Sequence, residues 1–132
     1  MNPQYATILD PDQMRQRRRE FFRFVRGRAR DCFNPDGSYK PNMDPDRRST
    51  FWMFPALIDT EDPAERDFAL TLLDKDPCWN GWNIFTTSSI ASILVRERRR
   101  LTPELVRRAE ENLDRFVDAG AERRGSSGAN DY

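Results

Sequence analysis

Met14, Phe21, Val25 and Cys32 recur at the spacing of one helical face, flanked by Phe22 and Ala29. Arg17, Arg19, Arg23, Arg26 and Arg30 take the other faces, which predicts an amphipathic helix from Pro11 to about Phe33 with the apolar stripe turned inward. The pattern stops at Asn34-Pro35-Asp36-Gly37, a turn sequence, and the polar stretch to Met43 reads as a loop. From Arg47 to Ile58 the run Phe51, Trp52, Met53, Phe54, Ala56 and Leu57 leaves little polar surface, which predicts a mostly buried helix kinked at Pro55.

Three more helical patterns follow. Phe68, Ala69, Leu72 and Leu73 give an inward face between Pro63 and about Lys75. From Ile84 to about Arg100 small residues, Thr86, Thr87, Ser88, Ser89, Ala91 and Ser92, stand among apolar ones, so this helix is expected to pack on several neighbours. Leu105, Ala109, Leu113, Phe116 and Val117 form one stripe between Pro103 and about Glu122, with Arg107, Glu110, Glu111 and Asp114 opposite.

Helix starts reinforce these boundaries. A capping side chain followed by proline in the first helical position occurs at Asp10-Pro11, Asp44-Pro45, Asp62-Pro63 and Thr102-Pro103. Gln13 and Glu65 stand three residues after Asp10 and Asp62, where a capping-box partner belongs. No alternating strand pattern competes, so the fold class is all-α, with about five helices in consecutive antiparallel hairpins. Residues 1–124 read as one helical domain and residues 125–132 as a flexible Gly/Ser-rich tail.

Composition narrows the chemistry. At 37% hydrophobic residues, with nine Phe, three Trp and three Tyr, the chain has the means to build a core. Lys plus Arg equals Asp plus Glu, 22 each, so no global field draws nucleic acid or an anionic membrane, and either would need a local patch. Only Lys40 and Lys75 are lysines; the other cations are arginines, which suit planar carboxylate or phosphate pairing. Histidine is absent, which removes the commonest general base and most zinc sites. Cys32 and Cys78 lack metal-ligand spacing and read as reduced thiols. No metal or cofactor is implied. With no signal-peptide pattern at Met1 to Asp10 and no run long enough to span a membrane, a cytoplasmic address is the default expectation.

The stretch Phe51-Trp52-Met53-Phe54-Pro55-Ala56-Leu57 followed by Thr60-Glu61-Asp62-Pro63-Ala64-Glu65-Arg66 resembles the helical hairpins of (α/α) toroid carbohydrate-active enzymes. So does Trp82-Asn83-Ile84-Phe85-Thr86-Thr87 through Leu101-Thr102-Pro103-Glu104-Leu105, and the likeness covers roughly residues 48 to 117. Those enzymes close a ring of about twelve helices around a cleft, of which five helices are less than half. The resemblance implies an N-terminal segment of a glycoside hydrolase or polysaccharide lyase, with its catalytic residues completed outside this chain and a carbohydrate as ligand.

Within that frame two groups of residues stand out. Trp79, Asn80, Trp82 and Asn83 offer indole faces and amides that suit a sugar-binding lip, while Trp in a short interhelical loop equally plugs the end of a core. Asp131, with Tyr132 and Asn130, is a candidate catalytic acid with a substrate-binding neighbour, or else a solvated tail. The arginines of the first helix read as a solvated outer face, with RNA or an anionic membrane as the alternative. Arg96, Arg98, Arg99 and Arg100 suit the negative end of a helix dipole.

A different class of function fits the same residues: a non-enzymatic helical module whose apolar faces bind a partner protein, with the first helix adding electrostatic steering. Either way, the expected partner is the remainder of a longer chain or a subunit that covers exposed apolar helix faces.

Overall fold

The computed structural model of the 132-residue chain describes residues 10–41, 49–80 and 84–125. Five α-helices occupy them: α1 (Pro11–Cys32), α2 (Ser49–Ile58), α3 (Pro63–Lys75), α4 (Ile84–Glu97) and α5 (Pro103–Gly125). Short 3-10 turns lie at Pro77–Asn80 and Arg98–Arg100. Among the described residues the sole β feature is an isolated bridge between Phe33 and Tyr39, so the protein is all-α.

Capping explains where the helices start. Asp10 and Asp62 accept from the amides of Asp12 and Ala64 at 3.0 and 2.9 Å, and Pro11 and Pro63 occupy positions whose amides have no helical partner. Thr102 Oγ1 accepts from the Leu105 amide at 3.2 Å. The expected start at Asp44-Pro45 lies outside the described residues. Glu65, expected in a capping box, instead reaches Arg30 of α1 at 2.7 Å.

Helix α2 is the hub, packed against α1, α3 and α4, while α4 also packs against α5. Its sequence makes this possible, because Phe51, Phe54, Ala56, Leu57 and Ile58 are all buried, on more than one side of the helix. Pro55 lies inside one continuous helix and does not split it. Around α2 gather Phe68, Ala69, Leu72 and Leu73 of α3, Ile90 and Ile93 of α4, and Leu105 and Ala109 of α5.

After α1 the chain reverses through Asn34 to Tyr39. The Asn34 amide donates to the Ser38 carbonyl at 2.8 Å, and Gly37 supplies the left-handed φ of 85°. The Phe33 and Tyr39 rings meet at 4.6 Å.

Three expectations need correction. On α1 the buried edge is Ala29, with Val25 and Cys32 half-buried, whereas Met14 and Phe21, expected inward, are exposed at 49% and 60%. The helix runs past the body it packs on, and every residue from Pro11 to Glu20 is exposed. On α4 the small residues do not all face neighbours: Thr86, Thr87, Ile90 and Ile93 are buried, but Ser88, Ser92 and Val95 face solvent. On α5 Val117 is exposed and Asn112 is buried in its stead, while the helix continues to Gly125, one residue into the expected tail. Residues 126–132 lie outside the described residues.

Candidate functional site

The segment singled out for a sugar lip begins at Asp76, where α3 ends. Asp76 Oδ1 accepts from the Cys78 amide at 2.7 Å, which opens the 3-10 turn and brings Trp79 back toward the end of α3. The indole N–H of Trp79 donates to the Leu73 carbonyl at 2.6 Å. The Phe51 ring meets the indole edge-on at 5.2 Å, and the Arg108 guanidinium lies 4.7 Å from the ring centroid. Asn112 closes the arrangement by donating to the Trp79 carbonyl at 3.1 Å.

Trp79 is 3% exposed. Its ring faces are therefore occupied by the protein, and of the two readings open for this residue the geometry matches the plug at the end of the core. Asn80 ends the 3-10 turn, and its backbone alone is described. Trp82 and Asn83, and the candidate acid Asp131 with Tyr132, lie outside the described residues.

Asp76 is the most perturbed acid near this turn. It is 4% exposed, and burial pushes its carboxyl above the ordinary value of 3.8, against the lowering pull of hydrogen bonds from Cys78 and Thr50. Its Oδ2 is buried without a hydrogen-bond partner. A raised carboxyl is the signature of a general acid, but this one is buried, and its Oδ1 is spent on the turn. Asp76 holds the fold. Cys32 and Cys78 are not joined by a disulfide, and among the described residues no cluster of acids and cysteines is arranged to hold a metal.

The exposed surface is more informative. Met14, Arg17, Phe21, Phe24 and Arg28 follow one another along α1 at alternating three- and four-residue steps, the spacing of a seam that meets a second helix. Phe21 and Phe24 are 60% and 64% exposed. Arg26 and Arg30 are used inside the protein: Arg26 Nη1 donates to the carbonyls of Ala56 and Asp59 at 3.0 and 2.9 Å, and Arg30 bonds Glu65 while lying 3.7 Å above the Phe68 ring. Arg18 stacks on Phe22 at 4.7 Å. Arg17 and Arg23 have no hydrogen-bond or ion-pair partner among the described residues.

This seam was legible as spacing but not as surface. Its residues share part of a stripe with Val25 and Cys32, and which edge of the stripe is covered depends on how far α2 and α3 extend along α1. Asn112 and Thr50, both buried and polar, carry no sequence signal beyond their helical positions.

No helix among the described residues is long and apolar enough to cross a membrane. No family model, curated protein or solved structure matches the chain.

Proposed function

We propose that this chain is a non-enzymatic interaction module that docks an acidic, amphipathic helix of a partner protein along the outer seam of α1. The observation that carries this reading is the pair Phe21 and Phe24, each more than half exposed in the middle of a helix whose first ten residues are all exposed. Large aromatics set among arginines make the composition of an interface centre rather than of ordinary solvated surface.

Charge selects the partner. Helix α1 carries eight arginines against Asp12, Glu20 and Asp31, so a second copy laid against it would bring like charges together. An acidic helix satisfies both parts of the seam: its apolar residues cover Met14, Phe21 and Phe24, and its carboxylates meet Arg17 and Arg28, the latter now paired with Asp31 at 3.2 Å. The ten exposed residues from Pro11 correspond to about 15 Å of helix, room for roughly three turns of a partner.

The test is fluorescence anisotropy with a labelled helical peptide bearing Leu at heptad positions and Glu around them, beside a copy with Lys in place of Glu. The acidic peptide is expected to bind, more weakly as salt rises, and to lose binding when Phe21→Ser and Phe24→Ser are combined. Equal binding of both peptides, or binding indifferent to the two Phe substitutions, overturns the reading. So does preferential binding to RNA or to anionic lipid vesicles, or self-association through α1. Saturable binding of an oligosaccharide by the purified chain would favour the carbohydrate reading instead.

A further inference from the structure

On a different surface, we propose that the cleft between α2, α3 and the 3-10 turn Arg98–Arg100 binds a small organic oxyanion, a phosphate or carboxylate carried on a short apolar body. The cleft has a volume of about 410 Å³, within the range of roughly 300–1,000 Å³ usual for small-molecule sites. Ile58, Pro63 and Leu70 form its apolar floor, and Arg66, Arg99, Arg100 and Asp67 its rim.

The three guanidiniums differ in how far they are committed. Arg66 Nε donates to the Thr60 carbonyl at 2.6 Å, which fixes its plane, and its Nη2 lies 3.3 Å from Glu61, whose own side chain is fully exposed. Arg100 Nη1 is 3.5 Å from Asp59 and 3.3 Å from Glu97. Those distances exceed the roughly 2.7–2.9 Å of a strong charged hydrogen bond, so Arg66 and Arg100 are loosely held by these carboxylates. Arg99 has no hydrogen-bond or ion-pair partner among the described residues. The helix-dipole explanation for this arginine run is also incomplete, because Arg98 is already paired with Glu110 at 2.7 Å.

The chemistry of the lining defines the ligand. Pro63, Arg66 and Asp67 of the lining lie in the first turns of α3, while Arg99 and Arg100 follow the end of α4, so the side chains decide the sign. Arg66 faces Glu61 and Arg100 faces Asp59 and Glu97, so Arg99 is the lining guanidinium left without a carboxylate among the described residues, and its planar fork suits oxyanions with two acceptor oxygens. Asp67 repels a second acidic group and accepts from a hydroxyl or amine, so the ligand carries a single acid. The floor excludes water from one side of the ion pair, which strengthens it and rewards an apolar body over a bare ion.

The experiment is a methyl-resolved NMR titration of the full chain with phenyl phosphate, benzoate, inorganic phosphate and benzyl alcohol. Saturable shifts at the Ile58 and Leu70 methyl groups are expected with phenyl phosphate or benzoate, and whichever binds more tightly identifies the acid. Arg99→Ala, at a side chain with no structural partner, is expected to weaken that binding about tenfold, the worth of one charged hydrogen bond. Arg115→Ala, at an exposed position on α5, is expected to leave it unchanged. Binding unaltered by Arg99→Ala overturns the proposal, as do equal shifts from benzyl alcohol, equal affinity for inorganic phosphate, or no saturable shift from either organic acid.

Discussion

Asn112 of α5 donates its side-chain amide to the Trp79 carbonyl at 3.1 Å, joining the last helix to the 3-10 turn that follows α3. Both residues are buried, at 6% and 3% exposure, so neither group has water as an alternative partner. Replacing Asn112 by Ala strands a buried carbonyl, and the expected loss is about 1–3 kcal/mol of unfolding free energy. Urea denaturation measures it; a loss below half a kcal/mol, roughly the size of an ordinary surface substitution, would show that the bond is not made in solution.

Arg30 serves two partners at once, bonding Glu65 and stacking on Phe68. Glu65→Gln removes one of them and is expected to cost about 0.5–1 kcal/mol, because the pair is still partly exposed. Arg30→Ala removes both and adds about 0.5–2 kcal/mol for the lost cation–π contact. A double-mutant cycle separates the two terms, and equal losses from both substitutions would deny the stacking any share.

Asp76 has a pH signature of its own. Its folded carboxyl titrates above 3.8 because burial opposes its charge, so between that value and its folded pKa the native state holds the extra proton. The contribution to stability is therefore largest at acid pH and falls as pH rises through the folded value. Asp76→Asn removes this dependence, and the stability of the variant relative to the parent is expected to climb through the same window and then level off. Asp36 works in the opposite sense: hydrogen bonds from Ser38 hold it below its ordinary value, so what it adds is lost on acidification. Parallel pH curves for parent and Asp76→Asn would contradict the assignment.

Gly37 sits at φ 85°, and a Cβ there would lie 3.2–3.3 Å from side-chain carbons of Lys75 and Thr71. Gly37→Ala meets both the left-handed backbone penalty and this crowding, with an expected cost of about 1–2 kcal/mol. Denaturant unfolding decides it, and an unchanged midpoint would mean that the turn relaxes.

Exposure separates the phenylalanines. Phe21→Ser and Phe24→Ser are expected to change stability by no more than about 0.5 kcal/mol, because little packing is lost. Phe54→Ala, at a fully buried ring, is expected to cost about 3–5 kcal/mol. Large losses at Phe21 or Phe24 would place them in a core.

Much of the helical layout was legible beforehand. The Asp-Pro and Thr-Pro starts mark α1, α3 and α5 because a cap and a proline in the first turn act through neighbouring backbone groups alone. Glu65 shows the limit of that reasoning, since its spacing suits a capping box while a cation 35 residues away captures its carboxylate.

Local sequence therefore determined the class, the helix boundaries to within a few residues and the apolar character of α2, since these depend on periodicity and on groups a turn or two apart. Tertiary packing decided which edge of each stripe is covered: Ala29 rather than Phe21 on α1, Asn112 rather than Val117 on α5, and Trp79 within the core. Those outcomes depend on how far neighbouring helices reach and where buried carbonyls need donors, and the distances that settle both exist only once the chain has folded.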